Sequence, residues 1–503
     1  MVARDTARQR PTRESLSTFK SSKAYCDWRS RVQAVGGCAR PVKLLRRETT
    51  RTTLPHSGLQ VRTTAEDRSV WVRCGTRRAA ACPSCSARYE QDAFHLVRAG
   101  LVGDEPKGVP ATVADRPTVF VTLTAPSFGP VHSRPGHRPC ACRAWHREAD
   151  PRLGSPVDPD TYDYETAVLW NNHAGALWAD FTRRLRRTLA HAGGLTIRES
   201  TEVMKVSYAK VAEYQRRGQV HFHAAVRIDG PTGPGSRPPA WATVAVLTEA
   251  VRAAATATEV DAQRADRSGL ILRWGGQLDV QTIATGPADR SGPDPSAETA
   301  QADRSGSAET AGGSAGAVTS GGPGTVQAVS PGSVQAGRVA SYIAKYATKS
   351  TGVTDGIDQA VTSEADIAAS GASPHAQAMM RTALHLAESP HLADLRLDRW
   401  AHMLGYRGHF LTKSRAFSTT FAALRGTRAA WQIAQHQLDM GGPDVLVDVD
   451  WSVIGFGYRT AEEHHVAAQI AESIATRAKD RRTGAQGRQP LSTTSQHTSG
   501  AAA

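Results

Sequence analysis

Two alternating runs joined by a tight turn constrain this chain more than any other feature. Met204–Gln215 reads MKVSYAKVAEYQ and Gln219–Asp229 reads QVHFHAAVRID, with Arg216-Arg217-Gly218 between them. Apolar and polar residues alternate along both arms, the period of strands with one face against a core. A short connection containing Gly joins antiparallel neighbours. The spacing therefore predicts a β-hairpin. Period two puts His221 and His223 on one face and Phe222 on the other. With the loop at 216–218, Gln215 stands opposite Gln219 and Glu213 opposite His221. A slip of one residue would turn Glu213 away.

Other elements group around this hairpin. Thr118–Thr124, TVFVTLT, reads as a strand ending before Pro126. Residues 129–160 are rich in Pro, Gly, His and Arg and read as an excursion. From Asp160 or Asp163 a helix is expected, with Leu177, Trp178, Phe181, Leu185 and Leu189 at helical spacing. Its last turns carry Arg183, Arg184, Arg186 and Arg187, which suit either a solvated helix end or phosphate contact. A helix over about 240–262 and strands at 270–274 and 277–283 follow. Residues 285–336 are Gly, Ser, Ala, Pro and Thr with repeated ADRSG and SAET units, too poor in apolar surface to offset ordering entropy. Order is expected again in a helix over Val339–Lys349, then in helical segments near 363–388, 391–404, 414–436 and 459–480.

The fold class read from this pattern is α+β, a central antiparallel sheet with helices on one face. The divisions are a disordered basic arm (1–23), a cysteine-rich region (24–115), a core domain (116–350, with the insertion at 285–336), a helical C-terminal domain (351–481) and a disordered tail (482–503). The net charge of +14 points to a polyanionic partner, nucleic acid first. No apolar run approaches the roughly 18 residues of a membrane span. The N-terminus has no apolar signal core, so a cytoplasmic protein is expected, with its seven cysteines as free thiols or metal ligands.

Three groups bear chemistry. Two imidazoles two residues apart on a rigid strand can share a divalent cation, although a His-x-His pair alone is more often two surface side chains. Tyr342 and Tyr346 share one helix face, with Lys345 and Lys349 beside them; alone, aromatics four apart usually mean core packing. Cys82-Pro-Ser-Cys85 has the spacing of a zinc knuckle, with Cys74 upstream. Cys140 and Cys142, with His137 and His146, form a second site or supply missing ligands. Cys26 reads as an ordinary residue.

Taken in order along the chain, these motifs resemble one family. Phe120–Gly129, Lys210–His223 and Tyr342–Lys349, with Cys82-Pro-Ser-Cys85 and Arg407–Arg415, are similar to the HUH endonucleases. The closer likeness is to the RepSA-like plasmid replication initiators of actinobacteria, over about residues 38–432 without the insertion. The resemblance implies rolling-circle initiation by a metal-dependent tyrosine nickase. His221 and His223, with Glu213 as a third ligand, would hold Mg²⁺ or Mn²⁺. Tyr346 would be the main nucleophile, leaving a 3′-OH and a 5′-phosphotyrosine, and Tyr342 its alternate. Lys345 or Lys349 would tune the tyrosine or grip phosphate. Cys38 joins Cys74, Cys82 and Cys85 around zinc. Arg183, Arg184, Arg186, Arg187, Arg216 and Arg217 are the candidate DNA contacts. The implied partners are plasmid origin DNA and the host helicase and polymerase. Single-tyrosine relatives often carry a glutamate where Tyr342 stands, which favours the two-tyrosine arrangement. Deleting most of 285–336 is expected to leave nicking intact, since loop-closure cost changes slowly with length.

Two other readings stay open at this level. A transposase or relaxase shares the chemistry, although relaxases usually bring a third histidine. A zinc-containing DNA-binding regulator without catalysis would bind and not cut.

Overall fold

In the computed structural model, which describes residues 10–53, 61–284, 331–348, 360–426 and 446–486, the hairpin forms at the expected register. The elements in chain order are α1 (Arg13–Ser21), α2 (Tyr25–Ala34), β1 (Val42–Thr53), β2 (Val61–Val72), α3 (Pro83–Val102) and β3 (Thr118–Leu123). Then come α4 (Tyr164–Ala192), α5 (Ile197–Val203), β4 (Lys205–Tyr214), β5 (Val220–Asp229), α6 (Val244–Ala257), β6 (Val260–Gln263), β7 (Gly269–Leu272) and β8 (Leu278–Ala284). The chain continues through α7 (Pro331–Thr348), α8 (Glu364–Ala369), α9 (Pro374–Ala387), α10 (Leu397–Trp400), β9 (Leu411–Lys413), β10 (Leu446–Phe456) and α11 (Ala461–Gln486).

Strands β4 and β5 pair antiparallel with Glu213 opposite His221, and the Gln215 amide donates to the Gln219 carbonyl at 2.8 Å. The central sheet has the order β8-β3-β5-β4-β9, so β3 lies beside β5 with Thr122 opposite His223. Helices cover both faces of this sheet, not one. On the first face Phe222, Val226 and Ile228 of β5 join Leu177, Phe181 and Leu185 of α4, Leu247 and Val251 of α6, and Met379 and Met380 of α9. On the second, Ala225 of β5 and Val211 of β4 meet Leu96 and Val97 of α3 and Ile343 and Ala344 of α7. A two-sided cover is possible because the second face of β5 also buries its residues beyond the histidines: Ala225 packs in the second core, and Arg227 and Asp229 neutralise each other there.

Two buried polar side chains tie elements of this core together. The Asn171 amide of α4 donates to the carbonyls of Gly218 and Leu404, both at 2.9 Å, and its carbonyl accepts from the Val220 amide at 3.1 Å. That side chain fixes the hairpin turn against α4. Arg227 and Asp229, both fully buried, pair at 2.8 Å, and Arg227 also donates to the carbonyls of Gly100 and Phe417. Their pairing ties β5 to the C-terminal turn of α3.

Several sequence expectations are corrected. Within the supposed disordered arm, residues 13–21 form α1; Thr12 caps it by accepting from the Ser15 amide at 3.1 Å, and Phe19 packs edge-on to Trp28. The helix over 240–262 is shorter, and residues 260–263 pair with β7 in a separate ribbon. Helix α7 begins at Pro331, inside the expected insertion; residues 285–330 lie outside the described residues, as do the first nine residues of the basic arm and Lys349. The region 351–481 is not a separate helical domain: α9 packs on the central core, β9 pairs with β4, and β10 pairs with β1. The three-stranded sheet β10-β1-β2 was not foreseen at all. Helix α11 runs to Gln486, past the expected start of the tail at 482.

Candidate metal and tyrosine site

The hairpin delivers three ligand atoms to one point. Glu213 Oε2 lies 3.1 Å from His221 Nε2 and 3.4 Å from His223 Nε2, and the two Nε2 atoms are 3.2 Å apart. Ligands about 2.1 Å from a common cation sit at about this mutual spacing. His223 is oriented from behind: Thr122 Oγ1 is 3.0 Å from its Nδ1, and Phe120 stacks on its ring at 5.8 Å. If Nδ1–H donates to Thr122, Nε2 keeps its lone pair for the cluster. Burial pushes the His223 imidazole down to about 4, although Glu213 beside it opposes this, so the ring is neutral near pH 7. Burial works against the Glu213 charge, but hydrogen bonds with His221 and His223 outweigh it and hold the carboxyl down at about 2. A carboxylate and a neutral imidazole are the forms that bind a cation.

Helix α7 lays both tyrosines over this cluster. The Tyr342 hydroxyl is 3.1 Å from His223 Nε2, and the Tyr346 ring stacks 6.0 Å from the His223 ring. The two tyrosine rings are 4.4 Å apart. Lys345 is exposed, with its ammonium 5.8 Å from the Tyr346 ring. The helix face was legible in the four-residue spacing. Thr122 and Phe120 were not singled out from the sequence, although their alternation in β3 put them on the same face as the histidines.

The cysteines explain how α7 is held. Cys38, Cys74, Cys82 and Cys85 bring their sulfurs within 4.8 Å of one another, with Cys38 Sγ 3.9 Å from Cys82 and 3.6 Å from Cys85. Tetrahedral zinc with bonds near 2.3 Å puts sulfurs about 3.8 Å apart. The amides of Ala39 and Cys74 donate to Cys82 Sγ at 3.2 Å and Cys38 Sγ at 3.3 Å. Cys82 caps α3, which packs along α7 through Leu96, Ala340 and Ile343. Arg77, between Cys74 and Cys82, donates to the Ala347 carbonyl of α7 at 3.4 Å. Cys26 is exposed and outside the cluster.

The arginines divide differently from expectation. Arg217 is spent inside the fold, donating to the carbonyls of Ala125 at 2.7 Å and Pro126 at 2.6 Å, where it ties the turn to the end of β3. Arg183 and Arg184 both pair with Asp180 on α4, across the sheet from the histidines. Arg186, Arg187 and Arg216 are exposed, the last at the hairpin tip.

Residues 24–472 match the RepSA family, described as replication initiator protein, pSAM2. The chain is 41% identical over 486 residues to a replication initiator protein of Streptomyces ambofaciens, spanning 93% of this chain and 95% of that one. No solved structure matches it. The chain therefore belongs to the RepSA family of plasmid replication initiators. No helix among the described residues is long and apolar enough to cross a membrane.

Proposed function

We propose that this initiator nicks one strand of its plasmid origin and stays attached to the cut end through a tyrosine. The observation that carries this reading is the convergence of the Tyr342 hydroxyl, the Tyr346 ring and the Glu213–His221–His223 cluster, joined from parts of the chain more than a hundred residues apart. A tyrosine oxygen attacks phosphorus, and the bond to the 3′ oxygen breaks. The tyrosine gives up its hydroxyl proton, and the electron pair leaves with the 3′ oxygen, which takes up a proton in balance to become a 3′-OH. The 5′ phosphate remains on tyrosine. The new 3′-OH primes synthesis by the host polymerase, with a host helicase opening the duplex. Covalent storage of the phosphodiester lets the strand be rejoined without ATP.

Glu213, His221 and His223 fit a divalent cation, Mg²⁺ or Mn²⁺, which when bound would neutralise charge on the reacting phosphate. Thr122 holds the His223 ring in the ligand orientation. Tyr346 is the main nucleophile and Tyr342 its alternate, and the shared helix face lets either reach one phosphate. Lys345 supplies positive charge beside Tyr346, and Lys349, which lies outside the described residues, grips phosphate. Cys38, Cys74, Cys82 and Cys85 take a structural zinc ion that orders the N-terminus of α3 and, through it, α7. Arg186, Arg187 and Arg216 contact phosphate. The protein acts in the cytoplasm, where its plasmid lies.

Purified protein, supercoiled plasmid carrying the origin, and Mg²⁺ or Mn²⁺ test this reading. The expected product is open-circular DNA with protein on its 5′ end, lost on chelation. Tight origin binding with no cleavage under any divalent cation would instead establish a non-catalytic regulator.

A further inference from the structure

Outside both clusters, the excursion between β3 and α4 gathers a third set of ligand atoms. His132, Cys140, Cys142 and His146 place one donor each within 4.8 Å of one another. His146 Nε2 lies 3.2 Å from both Cys142 Sγ and His132 Nδ1, and Cys140 Sγ is 4.0 Å from His132 Nδ1. Zinc bonds of about 2.0 Å to nitrogen and 2.3 Å to sulfur at tetrahedral angles give nitrogen–nitrogen and nitrogen–sulfur edges of about 3.3–3.5 Å. His137, the partner expected from sequence, is exposed and stands outside the group; His132 takes its place.

The surroundings are those of a ligand site. His146 Nδ1 is 2.7 Å from Asp150 Oδ2, and Arg152 holds that carboxylate at 2.9 Å. With Nδ1–H donating to Asp150, His146 Nε2 carries a lone pair aimed at two other lone-pair atoms, an arrangement that a shared cation relieves. The His146 side chain is fully shielded from solvent, and Cys140 is buried. The Ser133 amide donates to Cys140 Sγ at 3.3 Å, and the turn after Cys142 closes with the Arg143 amide on the Cys140 carbonyl at 2.7 Å. Arg143 adopts a positive φ of 67° there. Few apolar side chains in this stretch are available to hold it.

We propose that His132, Cys140, Cys142 and His146 bind a structural zinc ion that clamps the excursion onto the tip of the catalytic hairpin. The base of the excursion closes as a small ladder, with the His132 amide on the Ser155 carbonyl at 2.8 Å and the Gly154 amide on the His132 carbonyl at 2.9 Å. Beyond it, Arg216 of the hairpin turn donates to the Glu148 carbonyl at 3.3 Å. Gly154, at φ 90°, lies so close to the Arg216 backbone that a Cβ would stand 2.5 Å from its carbonyl carbon. Only glycine serves at that contact. The ion therefore supports, from outside, the turn that leads into His221. A structural site of this kind contributes folding energy to a segment with little core of its own.

The test is metal analysis of the full-length protein and its variants after dialysis against a weak chelator. The wild type is expected to keep about two zinc ions per chain, one at each four-ligand cluster. Cys142→Ser and His146→Ala each remove about one ion, and Cys82→Ser removes the other. His146→Cys restores the count, because thiolate replaces imidazole in the same tetrahedron; His137→Ala changes nothing. Trypsin is expected to cut at Arg138, Arg143 or Arg147 faster in His146→Ala than in His146→Cys. A wild-type count of about one that only Cys82→Ser lowers would overturn the proposal. So would a His146→Ala protein that keeps both ions and resists trypsin like the wild type.

Discussion

The two faces of β5 are built from the same alternation and do opposite work. One face presents Phe222, Ala224, Val226 and Ile228 to α4, α6 and α9, and closes the larger core. The other presents His221 and His223 at the turn end, Ala225 in the middle and the buried Arg227–Asp229 pair at the far end, under α3 and α7. On the first face the side chains exclude water and stabilise the fold. On the second the polar groups are individually costly to bury and each is given a partner. Adjacent residues on one strand thus answer to different constraints, and a slip in register would exchange them.

This contrast can be broken by single substitutions. The largest effect is expected at His223. His223→Asn should lower nicking by about three orders of magnitude, since the interaction it supports is worth several kcal/mol. Its melting temperature should stay close to the wild type; a variant that nicks at half the normal rate would remove the cation from the account. Next is Phe222→Ala, one position away. Emptying that site should cost about 3–5 kcal/mol in denaturant unfolding. Activity per folded molecule should be largely retained at low temperature.

A smaller effect is expected where the two faces are coupled. Asn171→Ala leaves the Gly218 and Leu404 carbonyls and the Val220 amide without their buried partner, at about 1–3 kcal/mol. Because that turn leads to His221, the metal concentration needed for half-maximal nicking should rise as well. An unchanged metal dependence would uncouple the α4 face from the site.

Acid should act on the chemical face first. The metal-free His223 pKa is depressed from 6.5 to about 4, so its contribution to stability is present above 6.5 and is lost as pH falls toward 4. Glu213, depressed from 4.5 to about 2, adds a second loss below that window. Metal-free protein should therefore lose stability between pH 6.5 and 4, and His223→Asn should flatten that part of the curve. A wild-type profile already flat there would contradict the burial of a neutral imidazole. The smallest change is expected for Lys345→Ala, about three- to fivefold in adduct formation, since an exposed ammonium near a ring contributes only about 0.5–1 kcal/mol.

The sequence was most informative where structure is local. Alternation around Arg216–Gly218 gave the hairpin, its register and the Glu213–His221 pair. Four-residue spacing put Tyr342 and Tyr346 on one helix face. Partners distant in the chain were not legible. Strand β10 alternates clearly from Leu446 to Phe456, yet nothing in it names β1, some four hundred residues earlier, as its neighbour. Arg217 looked like a DNA contact because charge reveals nothing about which carbonyls lie nearby. His132 was passed over for His137 because ligand choice in a Pro- and Gly-rich loop depends on where the backbone turns. Helix α1 did leave a signal, the Thr12 cap followed by Leu16 and Phe19, which was masked by the surrounding charge.

The central claim is that tyrosines on α7 form the covalent link beside the Glu213–His221–His223 cluster. The most direct measurement is the yield of protein–DNA adduct, with peptide mapping, from an origin oligonucleotide and Mn²⁺ for the wild type, Tyr346→Phe, Tyr342→Phe and the double variant. The expected result is an adduct on Tyr346 in the wild type, none in Tyr346→Phe, and full first-strand nicking with slowed strand closure in Tyr342→Phe. DNA binding should persist in all four, because the proposed phosphate contacts, Arg186, Arg187 and Arg216, are unchanged in each. An adduct in Tyr346→Phe that maps to Tyr342 would exchange the two roles. A full adduct in the double variant would contradict tyrosine chemistry on this helix.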